Sequence, residues 1–215
     1  MDNSYIEIRS VTKALGGNTV LDNVSLVLPR GSVTGLRGHN GSGKTMLLRA
    51  IAGLITLDSG EITIEGKRLG RDISFPPSMG LIVENSGVWG YMTGLDCLCM
   101  IAEINKIISK TEVREAIKRV GLNPDDKRKF RKYSLGMKRR LMIAQAIMEK
   151  PDLLLLDEPT NALDPGGVDL AHDILAAEKA RGATIVLASH VDDKVMSLCD
   201  KVCSMANGRL EEARE

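Results

Sequence analysis

Apolar and polar residues alternate along the first third of the chain. The alternation runs through residues 6–8 and 24–28, and it returns at residues 62–64. A period of two residues predicts β-strands with one buried face. We therefore expect an antiparallel β layer in this part of the molecule.

The pattern changes in the middle third, where apolar residues recur at helical spacing. The stretch "SKTEVREAIKRVGL" places Val113, Ile117 and Val120 on one helical face. Ser109 and Glu112 have the spacing of a capping box, and a glycine follows as a stop signal. The middle third is therefore predicted to be largely helical.

The last third contains apolar runs without polar alternation. These runs are "LLLLD" at 153–157 and "TIVLAS" at 184–189, and the helical stretch "LAHDILAAEKA" separates them. Such runs are typical of strands that are buried on both faces of a parallel sheet. A length of 215 residues fits one domain. We predict a single α/β domain over residues 1–215, with a mixed, largely parallel sheet, an antiparallel β layer and a helical subdomain at about 90–150.

Composition narrows the classes of partner. Hydrophobic residues make up 43% of the chain and charged residues 27%, with a formal net charge of +1. With charges this nearly balanced, the protein has no general positive electrostatic field that would attract nucleic acid. Aromatic residues make up only 3% of the chain and offer few side chains on which bases can stack. No nucleic-acid partner is expected. The chain lacks long apolar runs and the features of a signal peptide, so we expect it in the cytoplasm.

The four cysteines occur as the pair Cys97 and Cys99 and the pair Cys199 and Cys203. Neither the C-x-C nor the C-x-x-x-C spacing is that of a zinc knuckle. Reduced, mostly packed thiols are favoured over a metal site.

The stretch "GHNGSGKT" at 38–45 has the spacing of a P-loop, in which backbone N–H groups form an anion site and Lys44 neutralises phosphate charge. "GSVTGLRG" before it reads as a short buried strand, and "MLLRAIAGL" after it has helical spacing from Leu47 to Leu54. A helix that begins near Lys44 directs its free N–H groups at the phosphate. The predicted nucleotide-binding residues are Gly38, His39, Asn40, Gly41, Ser42, Gly43, Lys44, Thr45 and Met46.

The stretch "LLLLDEPT" places Asp157 and Glu158 at the carboxyl end of a buried strand, where open parallel sheets bind ligands. Asp157 is suited to hold the Mg²⁺ that bridges phosphates, and Glu158 to orient or deprotonate the attacking water. Alone, such a pair is an ordinary exposed strand end. Together with the P-loop it indicates a site, and two carboxylates beside phosphates imply Mg²⁺ because they repel without a cation.

The stretch "YSLGMKRR" at 133–140 places Ser134 and Gly136 where a helix can start, with a hydroxyl and N–H groups for an anion. The alternative is a capped helix with a basic first turn. Lysine and arginine at a helix N-terminus oppose the helix dipole unless an anion lies nearby, which favours a functional role.

These three motifs, followed by "NALD" at 161–164 and "ASH" at 188–190, resemble the nucleotide-binding subunit of an ATP-binding-cassette (ABC) transporter with a P-loop NTPase core. The resemblance covers essentially the whole chain. The form "YSLGMKRR" is most similar to cassettes of bacitracin and lantibiotic export systems. The resemblance implies an ATPase that powers export through a separate transmembrane permease, at the inner face of the cell membrane. A soluble cassette ATPase, for example one of iron–sulfur cluster assembly, is the alternative.

The resemblance also implies roles for single residues. Lys44 and the loop amides would hold the β- and γ-phosphates of ATP, while Thr45 and Asp157 would hold Mg²⁺. Glu158 would be the general base, and His190 would contact the γ-phosphate and the attacking water.

A second ATPase subunit, either a copy of this chain or a paralogue, is implied as well. Ser134, Gly136 and Met137 would close over ATP bound to that partner, and Asp164 would lie at the same interface. ATP would thus hold the two cassettes together, and hydrolysis would release them.

The sequence departs from the family pattern at several positions. Leu15 stands where the family usually has an aromatic residue for adenine, so a smaller apolar contact is expected. Glu84 stands where glutamine is usual, and its carboxylate can give Mg²⁺ an oxygen. Trp89 and Tyr91 form either an exposed docking patch or part of a subdomain core. The basic run 127–134 has three possible interpretations. It is a solvated loop, a source of positive charge for the phosphates of ATP, or a patch that faces anionic lipid.

Overall fold

The described part of the chain, in a computed structural model, comprises residues 4–83, 90–190 and 194–211. Within it, strands and helices follow one another in the order β1-β2-β3-α1-β4-β5-β6-α2-α3-α4-β7-α5-β8-β9-β10. The strands form two separate sheets. The predicted α/β class is therefore confirmed.

The first sheet is antiparallel throughout and has the strand order β2-β1-β4-β5. Its strands are β1 (Ser4–Leu15), β2 (Asn18–Pro29), β4 (Ser59–Ile64) and β5 (Lys67–Arg68). The apolar residues of the alternating pattern, such as Ile6, Leu28 and Ile62, are fully buried. This sheet is the antiparallel layer that the period of two residues predicts.

The second sheet has the strand order β10-β9-β3-β8-β7-β6, and it is parallel except at β10, which pairs with β9 antiparallel. Its strands are β3 (Val33–Arg37), β6 (Met79–Ile82), β7 (Leu153–Asp157), β8 (Thr184–Ser189), β9 (Lys201–Ala206) and β10 (Arg209–Glu211). Because β3, β7 and β8 are parallel, their carboxyl ends meet at one edge. The loops that follow β3, β7 and β8, which carry Lys44, Glu158 and His190, start there.

The leucines of β7 are buried on both faces of this sheet. Leu154 and Leu156 belong to the core beside the helices of the middle third, whereas Leu153 and Leu155 belong to the core under the antiparallel sheet. A strand with two buried faces has no polar position to alternate with, which explains the continuous apolar run.

Five α-helices complete the described fold. They are α1 (Lys44–Ile51), α2 (Gly94–Asn105), α3 (Lys110–Arg119), α4 (Leu135–Ile147) and α5 (Pro165–Ala180), with 3₁₀ turns at Phe130–Lys132 and Lys194–Leu198. Helix α1 packs with the antiparallel sheet, and α2 to α5 pack on the other core. The largely helical middle third is confirmed.

The helix ends follow the local sequence signals in one case and depart from them in another. Helix α3 has the predicted capping box, since the Ser109 hydroxyl accepts from the N–H of Glu112 and the Glu112 carboxylate accepts from the N–H of Ser109. Helix α1, however, ends at Ile51, so the helical spacing predicted as far as Leu54 extends beyond the observed helix. Gly53 adopts a φ of 75°, which ends the helix and leaves Leu54 48% exposed.

All four cysteines are free thiols, with Cys97 and Cys203 buried and the other two partly buried. Burial raises the pKa of Cys97 to about 11. In the ranges described, no helix is both long and apolar enough to cross a membrane.

Candidate active site

The loop between β3 and α1 carries the phosphate-binding motif and ends at the first residue of α1. That residue, Lys44, is 5% exposed. Its Nζ donates to the carbonyl oxygens of Gly38, at 2.6 Å, and of His39, at 3.1 Å. The ammonium group is therefore held inside the loop, at the place where the motif predicts a phosphate.

Two glycines of this loop are required by their surroundings. Gly43 has a φ of 108°, and a Cβ there would lie 2.8 Å from the carbonyl oxygen of Val20. A Cβ on Gly38 would lie 2.2 Å from the carbonyl oxygen of Met205. Gly43 is also the N-cap of α1 and provides no side-chain cap. The first N–H groups of α1 are thus left to a bound anion or water.

Thr45 and Asp157 place two oxygens side by side at the edge of the parallel sheet. The Thr45 hydroxyl donates to Oδ2 of Asp157 at 2.6 Å, and Asp157 is 7% exposed at the end of β7. Hard divalent cations prefer such oxygen ligands, so the pair fits Mg²⁺. Glu84, the third predicted ligand, lies outside the described residues.

Glu158 follows Asp157 and faces the end of the neighbouring strand. Its Oε1 accepts from the backbone N–H of His190 at 3.0 Å and lies 2.7 Å from Nδ1 of the same residue. The parallel pairing of Asp157 with Ala188 brings the two loops together. Glu158 has a φ of 49°, a conformation that costs a non-glycine residue on the order of 1–3 kcal/mol. The structure thus holds its carboxylate against His190 despite a backbone cost.

A cavity of about 520 Å³ joins the P-loop to the two carboxylates. Its volume is within the range of about 300–1,000 Å³ that is usual for small-molecule sites. The lining residues are Val20, Asn40, Gly41, Ser42, Gly43, Lys44, Thr45, Met46, Arg49, Arg139, Asp157, Glu158 and Asn161. Of the other predicted residues, Gly38 and His39 hold Lys44 and His190 holds Glu158, without lining the cavity themselves.

Four residues of the cavity wall were not predicted as site residues: Val20, Arg49, Arg139 and Asn161. Val20 is an apolar residue of the cavity wall, whereas the apolar contact with the base was expected from Leu15. Leu15 is 44% exposed and does not line the cavity. Arg139 comes from α4, and the basic run of its motif was the signal that could have identified it.

Ser134 and Asp164 lie outside the cavity and cap helices. The hydroxyl of Ser134 accepts from the N–H of Met137 at 3.2 Å at the start of α4. Asp164 caps α5 and accepts from Nη2 of Arg140 at 3.0 Å, and this bond holds the pKa of the carboxyl below its usual range. Ser134 and Asp164 are exposed, whereas Gly136 and Met137 are partly buried. The structure does not bring these four residues to the cavity of their own chain.

Two alternatives left open by the sequence are resolved in part. Tyr91 is 78% exposed with the guanidinium of Arg131 at 5.3 Å from its ring centroid, so packing in a core is wrong for Tyr91. Trp89 lies outside the described residues. No residue of the run 127–134 lines the cavity, which does not support a phosphate field from this run.

The arrangement combines the parts that phosphoryl transfer to water requires. A buried lysine and free helix N–H groups are ready for phosphate, an oxygen pair fits a divalent cation, and a carboxylate is oriented by a histidine. The site can therefore bind a nucleoside triphosphate and hydrolyse it.

Comparison with known proteins gives the same result. Residues 21–161 match the family model described as "ABC transporter". The chain is 51% identical to the ABC transporter ATP-binding protein YybJ of Bacillus subtilis (strain 168), over 98% of this chain and 96% of that protein. It is 36% identical to the bacitracin transport ATP-binding protein BcrA of Enterococcus faecalis, over 96% of this chain and 68% of that protein. It is 34% identical to the lantibiotic transport ATP-binding protein SrtF of Streptococcus pyogenes, over 95% and 88%.

Solved structures share the fold. The chain matches cbiO1 from Clostridium perfringens, part of the ABC transporter complex cbiONQ, with a TM-score of 0.79 and 27% identity over 98% of this chain and 88% of that chain. It also matches the ATP-binding cassette MJ0796 in a dimeric post-hydrolysis state with ADP and Pi, with a TM-score of 0.86 and 22% identity over 96% and 97%. None of these proteins supports the iron–sulfur alternative.

Proposed function

The chain belongs to the ABC transporter family as an ATP-binding and ATP-hydrolysing subunit, and we propose that it powers the export of a peptide or antibiotic through a separate membrane permease. The observation that carries this proposal is the meeting of three groups around one cavity. These are the buried Lys44, the Thr45–Asp157 pair and the Glu158–His190 pair. The names of the bacitracin and lantibiotic relatives support the substrate class.

Lys44 and the N–H groups at the start of α1 bind the β- and γ-phosphates in this proposal. Lys44 already lies inside the loop, so it needs only to exchange the carbonyl oxygens of Gly38 and His39 for phosphate oxygens. Asn40, Gly41, Ser42, Gly43 and Met46 form the remaining wall of the loop. Thr45 and Asp157, with Glu84 as the third predicted ligand, would hold Mg²⁺, which when bound would neutralise the charge that develops on the phosphates.

Glu158 takes the proton of the attacking water. Its carboxylate is oriented by two contacts with His190, one to the backbone N–H and one to the ring. A base that is fixed in this way acts from one position, which favours proton transfer in the transition state. His190 thereby positions Glu158, and in this proposal it also contacts the γ-phosphate.

A second ATPase subunit completes the site. Ser134, Gly136 and Met137 lie at the start of α4, away from the cavity of their own chain. An N-capped helix start with bare backbone N–H groups suits the phosphates of a nucleotide that is bound to another subunit. Asp164 lies at the same interface in this proposal, and the dimeric fold of the MJ0796 cassette supports such an arrangement.

We also assign the chain, as one ATPase domain over residues 1–215, to the inner face of the cell membrane. Tyr91 supports contact with a permease there, because an aromatic ring that is 78% exposed beside α2 is typical of a docking surface. Apolar residues of the α2 region, including Ile104 and Ile107, are also exposed. The surface near residues 90–107 is therefore our proposed site of contact with the permease.

The substrate class predicts a phenotype in the host. Cells that lack this chain should be more susceptible to bacitracin or to a lantibiotic than the parent cells. Expression of the parent chain should restore resistance, whereas Glu158→Gln should not, because it binds ATP without supplying a base. The measurement is the minimal inhibitory concentration of each peptide, with the amount of each chain checked in membranes.

A permeability defect is excluded by an antibiotic of unrelated chemistry, whose inhibitory concentration should not change. If susceptibility to both peptide classes is the same with and without the chain, the proposed substrate class is wrong. The ATPase assignment does not depend on that outcome.

A further inference from the structure

Arg139 is the one residue of the helical stretch α2 to α4 that lines the nucleotide cavity. It lies in the second turn of α4, and the cavity also contains the catalytic carboxylates at the end of β7. Its side chain therefore crosses from the helices to the site.

One guanidinium nitrogen of the partly buried Arg139, Nη1, is shielded from solvent and has no hydrogen-bond partner in the described part of the chain. A buried charged donor without a bond is costly, so such a group is retained only where another interaction offsets that cost. Burial lowers the pKa of Arg139, and the negative charges of Asp157 and Glu158 act in the opposite direction.

Arg139 shares this cavity with two carboxylates. Asp157 is 7% exposed and adjoins Glu158, so two negative charges stand together at a poorly solvated edge of the sheet. Lys44 is directed to carbonyl oxygens of the P-loop instead. Arg139 lines the same cavity, and both carboxylates act on it electrostatically, so it can supply positive charge to them.

We propose that Arg139 is a built-in counter-charge to Asp157 and Glu158, and that it competes with Mg²⁺ for these carboxylates. This inference rests on the proposed function, because it concerns the cation that accompanies ATP. With no metal bound, Arg139 stabilises the ionised pair. With Mg²⁺ at Thr45 and Asp157, Arg139 faces a like charge, so part of the affinity for the metal is lost.

The inference predicts two effects of one substitution: weaker nucleotide binding without metal, and a larger strengthening of binding by Mg²⁺. Arg139→Gln removes a positive charge from the cavity, so ATP without metal should bind more weakly. The same change removes the competitor of Mg²⁺, so the metal should strengthen nucleotide binding more than in the parent. A residue that only supports the fold would weaken both forms of binding alike.

The experiment measures the Kd of AMP-PNP, which is not hydrolysed, by calorimetry in EDTA and in saturating Mg²⁺. The Kd in EDTA divided by the Kd in Mg²⁺ gives the enhancement of nucleotide binding by Mg²⁺. We expect Arg139→Gln to raise this ratio by about three- to tenfold, the size of the interaction of two unit charges about 3–6 Å apart at the dielectric constant of water, about 80. Arg139→Lys, which keeps the charge, should restore a ratio close to that of the parent.

Lys138→Gln is the matched control, because it removes one positive charge from the same helix but does not line the cavity; its Nζ lies 5.7 Å from the ring centroid of Phe130. Its ratio should equal that of the parent. Arg139→Met is a second neutral variant, and thermal unfolding without nucleotide establishes that each variant is folded.

An unchanged or lower ratio in both neutral variants would overturn the inference while nucleotide binding by the parent leaves the proposed function intact. Failure of the parent to bind AMP-PNP in either condition would instead overturn the proposed function, and the inference with it.

Discussion

Glu158→Gln should reduce ATP hydrolysis by about 10²–10⁴-fold, the usual contribution of a positioned general base. The amide oxygen of glutamine can still accept from the N–H of His190, so the shape of the site is retained. A neutral amide cannot take a proton from water at neutral pH, so the chemical step alone is affected. Phosphate release under single-turnover conditions measures the effect, and the affinity for ATP should stay within a few-fold of the parent.

Glu103→Gln is the matched control, since Glu103 is exposed on α2 and does not line the cavity. Its rate should equal that of the parent. Hydrolysis by Glu158→Gln at the parent rate would show that another group is the base. His190→Ala tests the orientation of Glu158 separately, because loss of the residue that orients the carboxylate should also slow hydrolysis.

Lys44→Met should weaken ATP binding by about 100-fold, as expected from the loss of one or two charge-assisted hydrogen bonds of about 1.5–3 kcal/mol each. Methionine keeps an unbranched side chain in a place that is 5% exposed, so the P-loop should keep its packing. The rise in melting temperature that ATP causes in the parent should therefore disappear. Equilibrium binding of a fluorescent ATP analogue measures the loss directly.

Lys67→Met is the corresponding control, because Lys67 is exposed on β5 in the antiparallel sheet, away from the cavity wall. It should bind ATP as the parent does. The unfolding temperature of Lys44→Met without ATP should be no lower than that of the parent, since the variant removes a buried charge. Parent-like affinity in Lys44→Met would contradict the role of Lys44.

Most of the active site could be predicted because its parts lie in short, contiguous stretches. The glycines around Lys44 are required by backbone conformation and close contacts within the loop, which are local properties. Asp157 is the last residue of a strand whose apolar run indicates burial on both faces, and Glu158 follows directly. Order along the chain was therefore sufficient to place these groups at one edge of the sheet.

The residues that escaped prediction depend on contacts between distant parts of the chain. Arg139 reaches the cavity only because α4 packs beside β6 and β7, and its neighbours Lys138 and Arg140 have the same charge without lining the cavity. Val20 lines the cavity because β2 passes next to the P-loop, where its carbonyl oxygen would contact a Cβ on Gly43. Val20 has no spacing or composition that distinguishes it in the sequence, and the basic run that contains Arg139 does not show which of its residues reaches the cavity.

The end of α1 shows a different limit of prediction. Leu54 continues the apolar spacing of Leu47 and Ile51, but Gly53 adopts a positive φ and ends the helix first. The backbone N–H of Gly53 donates to Ala50, and a Cβ on Gly53 would lie 2.4 Å from the carbonyl oxygen of Ser74. The end of α1 therefore depends on a close contact between Gly53 and a loop that is distant in sequence. The spacing of apolar residues gives no information about such a contact.

The most direct test of the account is to isolate the tagged Glu158→Gln chain from membranes of its own host, in mild detergent with Mg²⁺ and ATP. Mass spectrometry should identify a multi-spanning membrane protein in a fixed ratio with two ATPase subunits. Lys44→Met expressed at the same level serves as the comparison, and its two ATPase subunits should separate more readily. Recovery of the chain only in the soluble fraction, with soluble partners, would contradict its role as the ATPase subunit of a membrane transporter.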